Sequence, residues 1–220
     1  MSSFFWQKQP IKLDMESNSV DDQYEWCESL MRTWSQDHTL KNESNSSEDY
    51  TNVWKIYRNI TDINEQIMKM YTANDFFMQF NAEVSTGRTN YMKDFPYKAF
   101  HYLLTRAVQK FQLNECTEVF RRVDISFVTN VTGREMRFSR FASTSLKTDL
   151  YDFGNASCFQ IYTCFGANID SFSLYPEEQE VLIPPYETFK ITNVTENHES
   201  CDVLYTLQST GRFSKMNCHK

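Results

Sequence analysis

A chain of 220 residues with 40% hydrophobic and 15% aromatic side chains can bury one substantial core. Its formal net charge of -7 argues against a nucleic-acid backbone as the main ligand. Eighteen phenylalanines and twelve tyrosines suit a β-rich core with aromatic ligand walls.

Residues 1–20 read as a loosely ordered leader, with the aromatic trio Phe4, Phe5 and Trp6 but no apolar run of signal-peptide length. From 21 to about 112 the pattern is helical. Within it, 41–48 reads as an exposed loop and 83–90 as a turn-rich connection. The clearest helix is 96–112, where a proline sits near the start and Phe100, Leu103, Leu104 and Ala107 share one stripe. From 113 to 220 the texture is β. Short runs rich in Val, Ile, Phe, Tyr and Thr fall at 117–128, 135–143, 156–165, 169–174, 179–184, 187–194 and 202–209. Their spacing predicts an antiparallel or mixed arrangement of two packed sheets. The whole is one α+β domain over 21–220. The chain stops at Cys218-His219-Lys220 without the hydrophobic tail of a lipid anchor, and no run reaches transmembrane length. Either both targeting segments are missing from this chain, which is the expectation favoured, or the protein is exported differently or not at all.

The six cysteines are even in number and contain no CxxC pair, and the four histidines are too scattered for a zinc pattern. Disulfides are expected, and no metal. Asn-X-Ser/Thr sequons begin at Asn42, Asn45, Asn59, Asn130, Asn155 and Asn193. Together these favour an extracellular, secreted or cell-surface protein.

With five glycines the chain has no GxGxxG and no phosphate loop, so a bound nucleotide needs another device. Three strand-like segments supply one. Arg121, in EVFRR, can make bidentate contacts to phosphate or ribose oxygens, although a strand arginine on its own is usually solvated or salt-bridged. Ser143 opens Ser143-Thr144-Ser145, whose plain alternative is a hydroxyl-rich strand edge. Glu177-Glu178-Gln179-Glu180 runs straight into Val181-Leu182-Ile183. On an extended chain Glu178 and Glu180 project from one face. Their repulsion is expected to raise the proton affinity of one and leave the other anionic, which suits acid–base work or stabilisation of a sugar cation. A charged turn before a buried strand is the commoner role for such a run.

In order and spacing, Arg121, the Ser143-Thr144-Ser145 strand and Glu178-Gln179-Glu180 resemble the vertebrate ecto-ADP-ribosyltransferases, the arginine-specific mono-ADP-ribosyltransferase family. VDDQYEWC (20–27), YKAFHYLLTRA (97–107), RFSRFASTSL (137–146), IYTCFG (161–166) and EVLIPPYE (180–187) extend the likeness over nearly the whole chain. The resemblance implies a helical N-terminal part packed on a β-sandwich with an NAD cleft. It also implies transfer of ADP-ribose from NAD, a co-substrate, to exposed arginines of target proteins. The chain is expected to be a monomer. Arg121 would anchor the NAD phosphates or ribose, and Ser143 the nicotinamide-side ribose. Glu180 would stabilise the ribose cation and Glu178 would orient and deprotonate the acceptor guanidinium. Phe153 would stack on nicotinamide and Tyr175 would face the acceptor. The resemblance further implies Cys27–Cys218 and Cys116–Cys164 bridges, and pairing Cys158 with Cys201 closes the count. Arg122 and Ser139-Arg140 depart from the family's small residue and Gly-polar pair. Two alternatives stay open: an NAD glycohydrolase, and a non-catalytic surface or secreted binding domain on the same fold.

Overall fold

The computed structural model describes residues 9–37, 40–73, 76–198 and 200–218, so residues 1–8 of the expected leader lie outside the described residues. Among these residues the helices are α1 (Glu28–Asp37), α2 (Leu40–Glu43), α3 (Glu48–Tyr57), α4 (Ile63–Thr72), α5 (Phe76–Thr86) and α6 (Lys98–Lys110). Capping explains several starts. Ser47 accepts from the Tyr50 N–H ahead of α3, and Asp62 accepts from Asn64 and Glu65 ahead of α4. No side chain at its own N-cap closes α6. Glu43, from the end of α2, instead takes the Ala99 and Phe100 N–H groups at 2.5 and 3.0 Å. The 41–48 loop thus begins with a helical turn. The 83–90 connection continues α5 to Thr86 and ends in a 3₁₀ turn, Gly87–Asn90.

The helices close around an aromatic cluster. Tyr50 stacks on Phe76 at 4.7 Å, and Phe80 meets Phe100 edge-on at 4.9 Å. Phe141 enters the same cluster from the β half and stacks on Phe80.

The strands are β1 (Thr117–Val123), β2 (Glu135–Met136), β3 (Ala142–Ser145), β4 (Ser157–Thr163), β5 (Ala167–Asn168), β6 (Glu180–Ile183), β7 (Glu187–His198) and β8 (Cys201–Arg212). They form one hydrogen-bonded sheet in the order β2-β7-β8-β4-β1-β3-β6-β5, with β4 and β8 parallel. The two expected sheets are therefore continuous. Their join is narrow, a single β1–β3 pair at Phe120 and Ser145. Val181 and Ile183 of β6 nevertheless share a buried cluster with Phe189 and Ile191 of β7, so the two ends of the sheet fold toward each other. The strand expected over 169–174 is a turn, because the Phe172 and Ser173 N–H groups both donate back to the Ile169 carbonyl.

Residues 9–20 are docked, contrary to the loose leader expected. Ile11 bridges to Phe127, and Leu13 and Val20 are buried. The Cys27–Cys218 and Cys116–Cys164 bridges form. Cys158 and Cys201 are buried free thiols in contact with each other, a correction to the third pairing. In the parallel β4–β8 ladder Cys158 stands opposite Leu204, three residues beyond Cys201.

Glu43 makes this packing sensitive to pH. Burial pushes its carboxyl from an ordinary 4.5 up to about 7, against the two α6 N–H groups that favour the anion. The folded protein then holds this proton more tightly than the unfolded chain does. Its contribution to stability is present below pH 4.5 and is lost as pH rises through about 7. Thermal melts across that window should show Glu43→Gln with a flatter pH dependence than wild type. Identical slopes would remove Glu43 as the cause.

Candidate active site

The sheet opens where β1 and β3 part. Beyond the Phe120–Ser145 pair the two strands diverge, and a cleft of about 580 Å³ fills the gap. Arg121, Ser143, Phe153, Tyr175, Glu178 and Glu180 all line it, although they come from separate segments. Arg121 spans the split by donating to the Ser143 carbonyl at 2.6 Å. Burial lowers its proton affinity, but a guanidinium stays charged under all ordinary conditions.

The three hydroxyls of Ser143-Thr144-Ser145 have three separate partners. Ser143 hydrogen-bonds the Glu180 carboxylate. Thr144 donates to the Val181 carbonyl at 2.6 Å, and Ser145 donates to the Glu178 carbonyl at 2.5 Å. The Leu146 N–H donates to the Gln179 carbonyl. β3 thus holds the acidic segment at each successive residue, and Ser143 alone turns its hydroxyl to the cleft carboxylate.

Glu178 and Glu180 reach the cleft by a different route from strand alternation. Pro176–Glu178 is a 3₁₀ turn, and Gln179 is left-handed at φ 48° and ψ 55° before β6 begins. The turn, with its one unusual backbone conformation, brings both glutamates to the same cleft. Glu180 is 7% exposed and Glu178 is partly exposed. Both carboxyls are raised above the ordinary 4.5, and burial is the leading cause for both. For Glu180, repulsion from Glu178 adds to burial, while hydrogen bonds from Ser143 and Ser173 oppose it.

Phe153 ends a short 3₁₀ turn, Tyr151–Phe153, and stands 52% exposed at the mouth. Gly154 follows at φ +123°, and a Cβ there would lie 2.6 Å from the Asp124 nitrogen, so the loop passes against β1 as only glycine allows. Among the departures, Arg140 lines the cleft, whereas Ser139 is tied away from it. Its carbonyl accepts from Ser19 at 2.7 Å and its hydroxyl meets Ser85 at 3.2 Å.

The helical half contributes wall residues that no motif announced. Tyr71 of α4 stands beside Ser143 and donates to the Phe141 carbonyl at 3.3 Å, and Asn81 of α5 donates to the Tyr71 hydroxyl at 3.0 Å. Both line the cleft. Among the described residues no cluster of His, Cys, Asp and Glu is arranged to hold a metal.

The family described as NAD:arginine ADP-ribosyltransferase matches residues 58–215. The chain belongs to that family. It is 31% identical to NAD(P)(+)--arginine ADP-ribosyltransferase 2 of Gallus gallus, over 94% of this chain and 72% of that protein. It is 33% identical to ecto-ADP-ribosyltransferase 4 of Homo sapiens, over 94% and 73% respectively. A crystal structure of the eukaryotic mono-ADP-ribosyltransferase ART2.2, a mutant in complex with NAD, superposes with a TM-score of 0.80 at 29% identity. It covers 95% of this chain and 99% of that one. The α+β transferase fold is therefore this family's fold.

The network around Glu180 has a signed consequence. Its carboxyl should titrate above 4.5 when followed by NMR on carboxyl-labelled protein. Ser143→Ala removes a bond to the anion and should move the midpoint up, whereas Glu178→Gln removes repulsion and should move it down. Shifts of the same sign in both variants would contradict this account of Glu180.

Proposed function

We propose that this chain moves ADP-ribose from NAD to arginine side chains of other proteins and releases nicotinamide. The convergence of Arg121, Ser143, Glu178 and Glu180 on one cleft, in a chain of this family, carries the reading. The cleft volume falls within the range of about 300–1,000 Å³ usual for small-molecule sites. Its lining suits NAD: cations at Arg121 and Arg140, a buried carboxylate at Glu180, and aromatic rings at Phe153 and Tyr175.

Each residue then has a role set by its chemistry. Arg121 pairs with the NAD phosphates or ribose through the donors it does not spend on the Ser143 carbonyl. Ser143 positions the nicotinamide-side ribose and holds the Glu180 carboxylate. Departure of nicotinamide builds positive charge on the ribose, and Glu180 stabilises it as a fixed anion in a site partly closed to water. Phe153 stacks on nicotinamide. Glu178 lies nearer solvent, where it pairs with the acceptor guanidinium and takes its proton as it attacks. Tyr175 faces the same acceptor.

We also place the protein outside the cell. Two disulfides favour an oxidising compartment, and all six sequon asparagines are exposed and open to glycan attachment. Relatives carry names such as ecto-ADP-ribosyltransferase 4 and GPI-linked NAD(P)(+)--arginine ADP-ribosyltransferase 1. No described helix is long and apolar enough to cross a membrane.

Nicotinamide release and labelling of polyarginine, measured side by side, test the division of labour. Glu180→Gln should lose both by roughly a hundredfold or more, the scale of removing one preorganised charge-stabilising group. Glu178→Ala should keep NAD cleavage and lose arginine labelling, because water still captures the cation. Equal loss of both activities in Glu178→Ala would make the two carboxylates one unit and contradict the assignment.

A further inference from the structure

Arg122, one of the departures from the family pattern, has a distinct environment. It follows Arg121 on β1, and strand alternation carries its side chain away from the Ser143 carbonyl that Arg121 grips. Its Nη1 donates to the Ser200 carbonyl at 2.8 Å, and its Nη2 donates to the Thr148 carbonyl at 3.4 Å. Its guanidinium carbon lies 4.5 Å from the centre of the Tyr151 ring. A smaller cavity of about 230 Å³ lies beside it, lined by Thr148, Tyr151, His198 and Ser200.

One planar cation therefore joins three distant segments: β1, the 146–154 loop and the turn between β7 and β8. That loop has little else to hold its middle. At its start the Leu146 N–H is fixed to the Gln179 carbonyl, and at its end Gly154 passes against Asp124. Between those points, Tyr151, Asp152 and Phe153 are exposed, and the backbone hydrogen bonds are local. Among the described residues, the hydrogen bond that leaves the middle of the loop runs to Arg122. The same loop presents Phe153 to the cleft.

We infer that Arg122 is a positioning residue: it staples the 146–154 loop to the sheet and so sets Phe153 in the wall of the NAD cleft. The inference rests on the reading of Phe153 as the nicotinamide-stacking residue. Arg122 serves through its shape. A fork that bonds two carbonyls while its face covers a ring needs a planar guanidinium, which lysine does not provide.

Steady-state nicotinamide release at varied NAD, with thermal melts of each variant, tests this. Arg122→Ser should raise KM for NAD by about five- to tenfold, roughly 1 kcal/mol of lost preorganisation, and leave kcat within about twofold. Tyr151→Leu should produce the same rise from the other side of the stack. The double variant should be no worse than either single one, because both remove one device. Arg122→Lys should fail to restore KM. Melting temperatures should change little, since the loop is exposed and lies outside the cores.

Restoration by lysine, or an unaffected KM in Tyr151→Leu, would mean that Arg122 acts by charge, and would overturn the proposal. A fall in kcat that tracks a lower melting temperature would overturn it too. Phe153→Ala separates the two layers of the argument. If its KM rises while that of Arg122→Ser does not, the staple fails and the nicotinamide wall stands. If Phe153→Ala leaves KM unchanged, the wall reading fails and the staple with it.

Discussion

A buried ion pair between Asp21 and Arg137 ties together the parts of the chain that must meet before the cleft can exist. Both side chains are fully buried. Besides Asp21, Arg137 donates to the carbonyls of Met15, Glu16, Pro185 and Phe213. Asp21 also accepts from the Ser214 hydroxyl and from the Lys215 and Met216 N–H groups. Burying two charges costs several kcal/mol each, and Coulomb attraction alone often fails to offset that. The added hydrogen bonds decide the balance here, because each nitrogen of the guanidinium and each oxygen of the carboxylate finds a partner. Loss of either side chain would strand the other charge at a cost of about 3–5 kcal/mol. The clasp joins the N-terminal segment, the last residues of the chain and the stretch between β2 and β3. It therefore fixes the backbone shortly before Phe141 enters the helical core and Ser143 enters the cleft.

The cleft is a compromise between burial and charge. A glutamate at the head of a buried strand is driven toward its neutral form, yet the proposed chemistry needs an anion against the ribose. Ser143 and Ser173 oppose the burial by donating to the carboxylate, and Arg121 adds a nearby positive charge. Tyr71, which Asn81 holds from α5, stands beside Ser143 and donates to the Phe141 carbonyl. A similar device closes the far end of the sheet. Buried Glu187 accepts from Thr163, Ser209 and the Cys164 N–H, and so locks the end of β4 to β7 and β8.

How much of this was legible in the residues depends on how local each signal is. Arg121, Ser143 and the Glu178–Glu180 pair were legible because each sits in a short apolar frame and their order is distinctive. The α6 helix was legible from its stripe, which the structure buries at Phe100, Leu104 and Ala107. The left-handed Gln179 was not, because a glutamine carries no mark of that conformation and the acidic run imitates the start of a strand. Docking of residues 9–20 was hidden for another reason. Arg137 binds the Met15 and Glu16 carbonyls, and every residue offers a carbonyl. Tyr71 and Asn81 look like ordinary helix residues until α4 and α5 are packed. The continuity of the sheet depends on one pair between β1 and β3, a contact too isolated for a pattern to reveal.

The proposed chemistry requires NAD to lie in the gap between β1 and β3 with its nicotinamide-side ribose against Glu180. A crystal structure of the wild-type protein with a non-hydrolysable NAD analogue tests it most directly. The diphosphate should lie beside Arg121, the ribose within hydrogen-bond reach of Ser143 and Glu180, and nicotinamide against Phe153. An analogue bound with its ribose away from Glu180, or outside the β1–β3 cleft, would contradict it.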